Sequence, residues 1–211
     1  MNIVAADSKS RLLNAAIQVI RTKGYTATTV DDICHAAGVT KGSFFHHFKG
    51  KEESAVAATQ HWNEVTGALF ASAPYQNVAD PRERVLAYID FRASLLHGEL
   101  PDYTCLLGTM VQETFATSPA IRAACAMGIE LHARAVAGDI AQAKARYAPD
   151  ADWSPESLAL YTQASIQGAF ILAKAKGGPQ IAGECIAHLR SYVECLLGAP
   201  RARRASTARR S

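Results

Sequence analysis

The segment of residues 26–51, TATTVDDICHAAGVTKGSFFHHFKGK, carries the side chains best suited to gripping a polyanion. Its second half is basic and aromatic, with lysines, two histidines and three phenylalanines. Such groups do this work only if a rigid frame presents them, and local signals predict that frame. Thr29 suits a helix N-cap, and Asp32 three residues later completes a capping box. Val30, Ile33 and Ala37 then share one face at helical spacing. Gly38 suits the position after the helix, where a left-handed backbone costs little. Thr40 caps again and opens a second helix, Lys41 to Phe48, in which Phe44 and Phe48 read as core residues. Two short helices around a tight turn predict a helix-turn-helix, whose second helix enters the DNA major groove by its N-terminal end.

The elements around this motif read as helices throughout, so the expected fold class is all-α. Ser8 to Lys23 places Leu12, Leu13, Ala16, Ile17 and Ile20 on one face and stops at Gly24. This helix should pack across the motif. A connecting helix is predicted from Lys51 towards Phe70, then a loop at residues 73–77. Asp80-Pro81 opens the next helix, with Pro at its first position, ending near Gly98. An apolar helix should start at Cys105 and break near Ser118-Pro119. Residues 120–147 are Ala-rich and read as one helix or two shorter pieces. Ser154-Pro155 starts a helix to about Lys176, and a last one runs from Pro179 to Leu197. The expected division is a DNA-binding domain at residues 1–51, a helical effector-binding and dimerisation domain at 52–198, and a disordered tail at 199–211.

Charge follows that division. The 211-residue chain has a formal net charge of +3. Residues 1–51 carry +4, residues 52–198 carry −6, and the Arg-rich tail carries +5. Phosphate neutralisation supplies much of DNA affinity, so the basic end is the expected DNA face. The tail's five arginines should add only non-specific affinity. No apolar run approaches the ~18 residues of a membrane span, and no secretory signal appears at the N-terminus. Five scattered cysteines without CxxC spacing favour reduced thiols and a cytoplasmic location.

The register of Gly24-Tyr25, Thr28-Thr29-Val30-Asp31-Asp32-Ile33, Ala36-Ala37-Gly38-Val39, Lys41 to Phe48 and Lys51-Glu52-Glu53 resembles the DNA-binding domain of the TetR family of bacterial repressors. The likeness spans about residues 8–55. It implies that Thr40, Lys41, Gly42 and Ser43 face the groove, with His46 as a further candidate. Phe45 stands where the family usually has Tyr; it can touch a thymine methyl but cannot hydrogen-bond a phosphate. His47 and Lys51 match positions that grip the DNA backbone, and Thr28 or Thr29 does so from the other side.

The same resemblance implies an effector pocket within residues 80–147 and a two-fold dimer that reads a palindromic operator. Polar candidates on otherwise apolar helices are His97, Tyr103, Cys105, Thr109, Gln112, Glu113, His132 and Gln167. The dimer is expected through residues 154–197. There Ala164, Ser165, Gly168 and Ala169 form a small-residue surface flanked by Leu158, Tyr161 and Leu172. Ile181, Cys185, Ile186, Leu189, Tyr192, Val193 and Leu196 form a second stripe. Cys105 at a helix start has the dipole in favour of its thiolate. The segment resembles NemR-type members, which sense electrophiles and oxidants through a cysteine here and carry a lysine at a place like Lys174.

The leading expectation is a homodimeric repressor released from DNA by a small molecule. A redox- or electrophile-sensing repressor using Cys105 is the alternative. An enzyme is disfavoured: no nucleophile–base motif, phosphate loop or tightly spaced metal-ligand cluster appears, and no catalytic residue, metal or cofactor is expected.

Overall fold

The computed structural model describes residues 7–198; the expected Arg-rich tail lies outside them. Ten α-helices account for most of that span, with no strand among the described residues. They are α1 (Ser8–Lys23), α2 (Val30–Ala37), α3 (Lys41–His47), α4 (Lys51–Ala71), α5 (Pro81–Ser94), α6 (Leu100–Tyr103), α7 (Leu106–Thr114), α8 (Pro119–Tyr147), α9 (Pro155–Lys176) and α10 (Gln180–Leu197). The predicted loop at 73–77 is a 3-10 turn, Pro74–Asn77.

Local chemistry explains the first three helices. Asp7 caps α1 by accepting the Ser10 N–H at 2.7 Å. The Thr29–Asp32 capping box is present in both directions. Gly38 ends α2 with φ 61°, a left-handed turn that a β-carbon would strain. Thr40 accepts the Ser43 N–H and opens α3. Leu12, Ile20, Ile33 and Phe44 are each almost fully buried where the three helices meet. Each such side chain contributes about 1.5–3 kcal/mol of burial.

This core does not stop at the motif. It continues through Ala55 and Ala58 of α4 into Leu106, Leu107 and Met110 of α7 and Ile121 of α8. A second core fills the rest of the body, built from α5, α8, α9 and α10 around Leu86, Ile89, Ile140, Ile166 and Val193.

Two elements differ from expectation, and one open choice is decided. α5 ends at Ser94 rather than near Gly98, and the short α6 follows it. Cys105 is the residue before α7, in extended conformation, rather than part of a longer helix. Residues 119–147 form one continuous helix, α8; alanine's high helix propensity carries it through two glycines.

The two stripes on α9 and α10 divide. Leu158 and Ala169, expected on an outer surface, are buried in the chain's own core, as are Ile186, Leu189 and Val193. Tyr161, Ile171, Leu172 and Tyr192 face outward, all more than 40% exposed. Tyr161 and Tyr192 pack together on that outer face with ring centroids 5.2 Å apart.

Candidate nucleic-acid interface and effector cavity

The start of α3 stands clear of the body. Thr40, Lys41, Gly42, Phe45 and His46 are exposed, and Ser43 is half-buried. Phe45 is 56% exposed while its neighbours Phe44 and Phe48 are buried, so one aromatic of the three points outward. Lys41 pairs with Asp31 at 2.8 Å, both well exposed. Such a surface pair contributes little and gives way readily to a phosphate. Thr29 is exposed, although its hydroxyl is engaged with Asp32 at 2.6 Å. His47 is half-buried, its Nε2 at 2.7 Å from the Ser8 hydroxyl.

Two expected backbone-gripping residues turn inward. Thr28 is 1% exposed and its hydroxyl donates to the Gly24 carbonyl at 2.6 Å. Lys51 donates to the carbonyls of Tyr25, Thr26 and Thr28 at 3.1, 3.4 and 2.9 Å. Its ammonium also lies over the Tyr25 ring at 4.4 Å. Three donors meeting three carbonyls make Lys51 a clasp on the α1–α2 turn.

The eight expected effector residues gather at two adjoining cavities of about 190 Å³ each. His97, Tyr103, Cys105, His132 and Gln167 line the first, and Cys105, Thr109, Gln112, Glu113 and Gln167 the second. Thr104, Cys105, Gln167 and Phe170 belong to both walls. Trp62, Leu69, Phe70 and Leu107 make much of the first cavity apolar, as small-molecule sites usually are. The Tyr103 hydroxyl is buried without a protein partner. In the second cavity Lys174 donates to the Thr109 hydroxyl at 2.8 Å, which donates in turn to the Cys105 carbonyl at 3.0 Å.

Glu113 has a second task. Its carboxylate accepts the N–H groups of Tyr25 and Thr26 at 3.0 and 2.8 Å, so a cavity-wall residue holds the turn after α1. Gly24 must lack a side chain there: its φ is +86°, and a β-carbon would sit 2.5 Å from the Glu113 carboxylate.

Sequence reading missed Arg21, Trp62, Asn63, Arg92 and Gln163 in the first cavity wall. Arg21 left a signal. It continues the Leu13, Ile17 spacing of four, and all three are buried to about the same degree. A charged residue on an apolar stripe marks a place where something other than apolar packing is needed.

The model for bacterial regulatory proteins of the tetR family matches residues 12–57. The model for the tetracyclin repressor-like C-terminal domain matches residues 81–189, more than half of the chain. The chain belongs to the TetR family. It is therefore a DNA-binding transcriptional regulator by family. Among TetR-family relatives, the transcriptional regulator AcuR of Cereibacter sphaeroides is 30% identical over 165 residues, covering 77% of this chain and 74% of AcuR. The transcriptional repressor DhaR of Mycobacterium sp. (strain GP1) is 26% identical, covering 79% and 82%. A regulatory protein TetR from Rhodobacter sphaeroides superposes with a TM-score of 0.75 at 25% identity, covering 88% of this chain and 98% of that one. Reduced NemR of E. coli gives 0.75 at 22% identity over 93% and 100%, a likeness of fold.

Within this TetR-family body His132 sits among Phe70, Tyr88 and Arg92. Its Nε2 lies 2.8 Å from the Tyr88 hydroxyl and 3.4 Å from the Arg92 guanidinium, and its ring packs on Phe70. Burial, then the Arg92 charge, pushes its pKa down to about 3. Its ordinary value is 6.5, so between the two the unfolded chain binds the proton and the folded one does not. Stability conferred by the neutral ring is complete above pH 6.5 and falls on acidification. From pH 6.5 to 5 the loss should be at most about 2 kcal/mol, less at its partly exposed edge. Urea melts should show this slope in the wild type and a flatter one in His132→Gln. Equal slopes would remove His132 as the cause.

Proposed function

We propose that the chain is a homodimeric repressor, bound to a palindromic operator through α3 and released when a small molecule fills the cavity between α4, α7, α8 and α9. One observation carries this reading: the same residues wall the cavity and hold the reading head. Arg21 of α1 lines the first cavity and donates to the Thr104 carbonyl at 2.7 Å, and Glu113, in the wall of the adjoining cavity, holds Tyr25 and Thr26. A ligand that shifts α6 or α7 therefore shifts α1 and the turn after it. Release is then a population shift towards a conformer whose two heads have the wrong spacing for DNA. The outward-facing Tyr161, Ile171, Leu172 and Tyr192 on α9 and α10 support the dimer, because neighbouring exposed apolar side chains suit an association site.

Operator binding should be followed by fluorescence anisotropy with the DNA upstream of the gene, with and without candidate metabolites. A metabolite that lowers affinity supports the reading; specific DNA binding that no cavity ligand alters would leave a regulator without an effector. Lys41 and Lys51 should separate in the same assay. Lys41→Ala should weaken binding and reduce the salt slope by about one unit, with little change in melting temperature. Lys51→Ala should lower the melting temperature and leave the salt slope as it was. The reverse pattern would restore Lys51 as a phosphate contact.

A second reading rests on Cys105. It is half-buried, precedes α7 and lines both cavities, near the Lys174 ammonium. Burial raises the thiol pKa of Cys34, and that of Cys125 to about 12, which removes both as ready thiolates. Electrophile sensing through Cys105 predicts release of DNA by a mild alkylating agent and retention in Cys105→Ser. Release that persists in Cys105→Ser would return the cavity to reversible ligands.

A further inference from the structure

The first cavity contains a charge with no ion-pair partner among the described residues. Arg21 is 9% exposed and belongs to α1, a helix of the reading head, yet its guanidinium forms part of the cavity wall. Its Nε donates to the Thr104 carbonyl, and its planar group lies over Trp62 at 4.6 Å. No carboxylate of the described residues stands within ion-pair distance of it. Burial of an unpaired charge is costly, and here it brings the Arg21 pKa down to about 10, with Cys105 and then Asp102 only partly offsetting that burial.

The other titratable groups on this wall do not neutralise it. Arg92 is a second cation, engaged with Tyr88 and His132 and lying over Phe70 at 5.3 Å. His132 is neutral at physiological pH, for the reasons given above. Asp102 is the wall's carboxylate; it is exposed and accepts the Glu99 N–H at 2.8 Å. His97 is exposed. Tyr103 is a phenol whose pKa burial raises, and Cys105 is a half-buried thiol of the same wall. Two guanidinium groups thus face an apolar chamber with one solvated carboxylate and one thiol.

We infer that the effector is a small carboxylate whose anionic group pairs with Arg21 while its apolar body lies against Trp62, Leu107 and Phe170. This inference rests on the effector reading above and names the ligand's chemical class. The geometry suits it in three ways. With Nε held by Thr104, the two terminal nitrogens of Arg21 are the donors left for a ligand, and a carboxylate accepts from both at once. The chamber of about 190 Å³ is below the ~300–1,000 Å³ typical of drug-sized sites, so the ligand is compact. Arg21 also belongs to α1, so the anion would pull directly on the reading head.

The test uses the full-length protein and matched probes that differ in charge alone: butanoate, hexanoate, benzoate and phenylacetate against the corresponding primary amides. Binding is read by calorimetry and by the rise in melting temperature. In the wild type at least one acid should bind about tenfold or more tightly than its amide, a ratio within reach of hydrogen bonds to a charged group. Arg21→Gln should bring acid and amide together. Arg21→Lys should keep a weaker preference, and Arg92→Gln should keep the preference.

Acids and amides binding equally to the wild type would overturn the inference without any variant, as would no binding by any acid at millimolar concentration. A preference that survives Arg21→Gln, or is lost only in Arg92→Gln, would overturn the assignment to Arg21. If Arg21→Gln fails to fold, the wild-type comparison and Arg21→Lys still decide. Operator binding separates the two levels of the argument. Acids that bind through Arg21 but leave DNA affinity unchanged keep the ligand class and remove the release mechanism. Amides that bind and release DNA keep the mechanism and remove the anion.

Discussion

Replacing Phe44 by alanine should cost the reading head its fold, whereas replacing Phe45 should cost it only DNA. The two rings are adjacent in sequence and meet edge to face, with centroids 5.3 Å apart. Phe44 is fully buried between α1, α2 and α3, and Phe48 packs on it at 5.5 Å. Its truncation should lose about 3–5 kcal/mol. Against a typical domain stability of about 5–15 kcal/mol, that is enough to populate the unfolded head. Phe45 is 56% exposed. Its loss removes at most the edge contact, about 1 kcal/mol, but also the apolar surface α3 offers to a thymine methyl. Urea denaturation and operator anisotropy should therefore separate the variants: Phe44→Ala fails in both, and Phe45→Ala binds DNA more weakly on an intact fold. Equal loss of stability, or undiminished DNA affinity in Phe45→Ala, would refute the division of labour between them.

What sequence made legible here was local. The Thr29–Asp32 capping box, the Gly38 turn and the Thr40 cap of α3 each depend on a few consecutive residues, and each stands where expected. What it hid was long-range. Lys51 was expected at a phosphate because it matches a position that grips the DNA backbone in the TetR family. It turns inward because the carbonyls of residues 25, 26 and 28, more than 20 positions earlier, converge on it. Glu113 is a polar residue on an apolar helix by its sequence. Only the fold brings it to N–H groups 87 and 88 residues away. The cavity shows the same division. Polar side chains within residues 97–132 could be picked out as exceptions on apolar helices. Arg21 could not be assigned to a cavity, because it belongs to a helix that reads as part of the DNA-binding head. The α9 and α10 stripes were ambiguous for another reason: an apolar helix face looks alike whether it meets its own chain or a second copy. Burial of Leu158 and Val193 and exposure of Tyr161 and Tyr192 divide the two faces.

That division makes Gly168→Glu the decisive test of the dimer. Gly168 lies on α9 between Tyr161 and Leu172, beside the exposed Ala164. A β-carbon built there meets nothing within 4 Å in this chain, so a side chain does not disturb the isolated protomer. Removing a mid-helix glycine should even favour α9, by up to about 1 kcal/mol. A second copy packed against this face has no such tolerance. Small residues set how closely two helices approach, and a two-fold axis near Gly168 would bring two glutamates together in an apolar interface. A buried, unpaired charge is strongly destabilising to association. Light scattering should therefore find monomers for Gly168→Glu at concentrations where the wild type is dimeric, with circular dichroism unchanged. Operator affinity should fall steeply, because one head then binds one half-site without its partner. A Gly168→Glu chain that stays dimeric would move the interface away from α9. A monomeric wild type that still binds its operator tightly would remove the need for one.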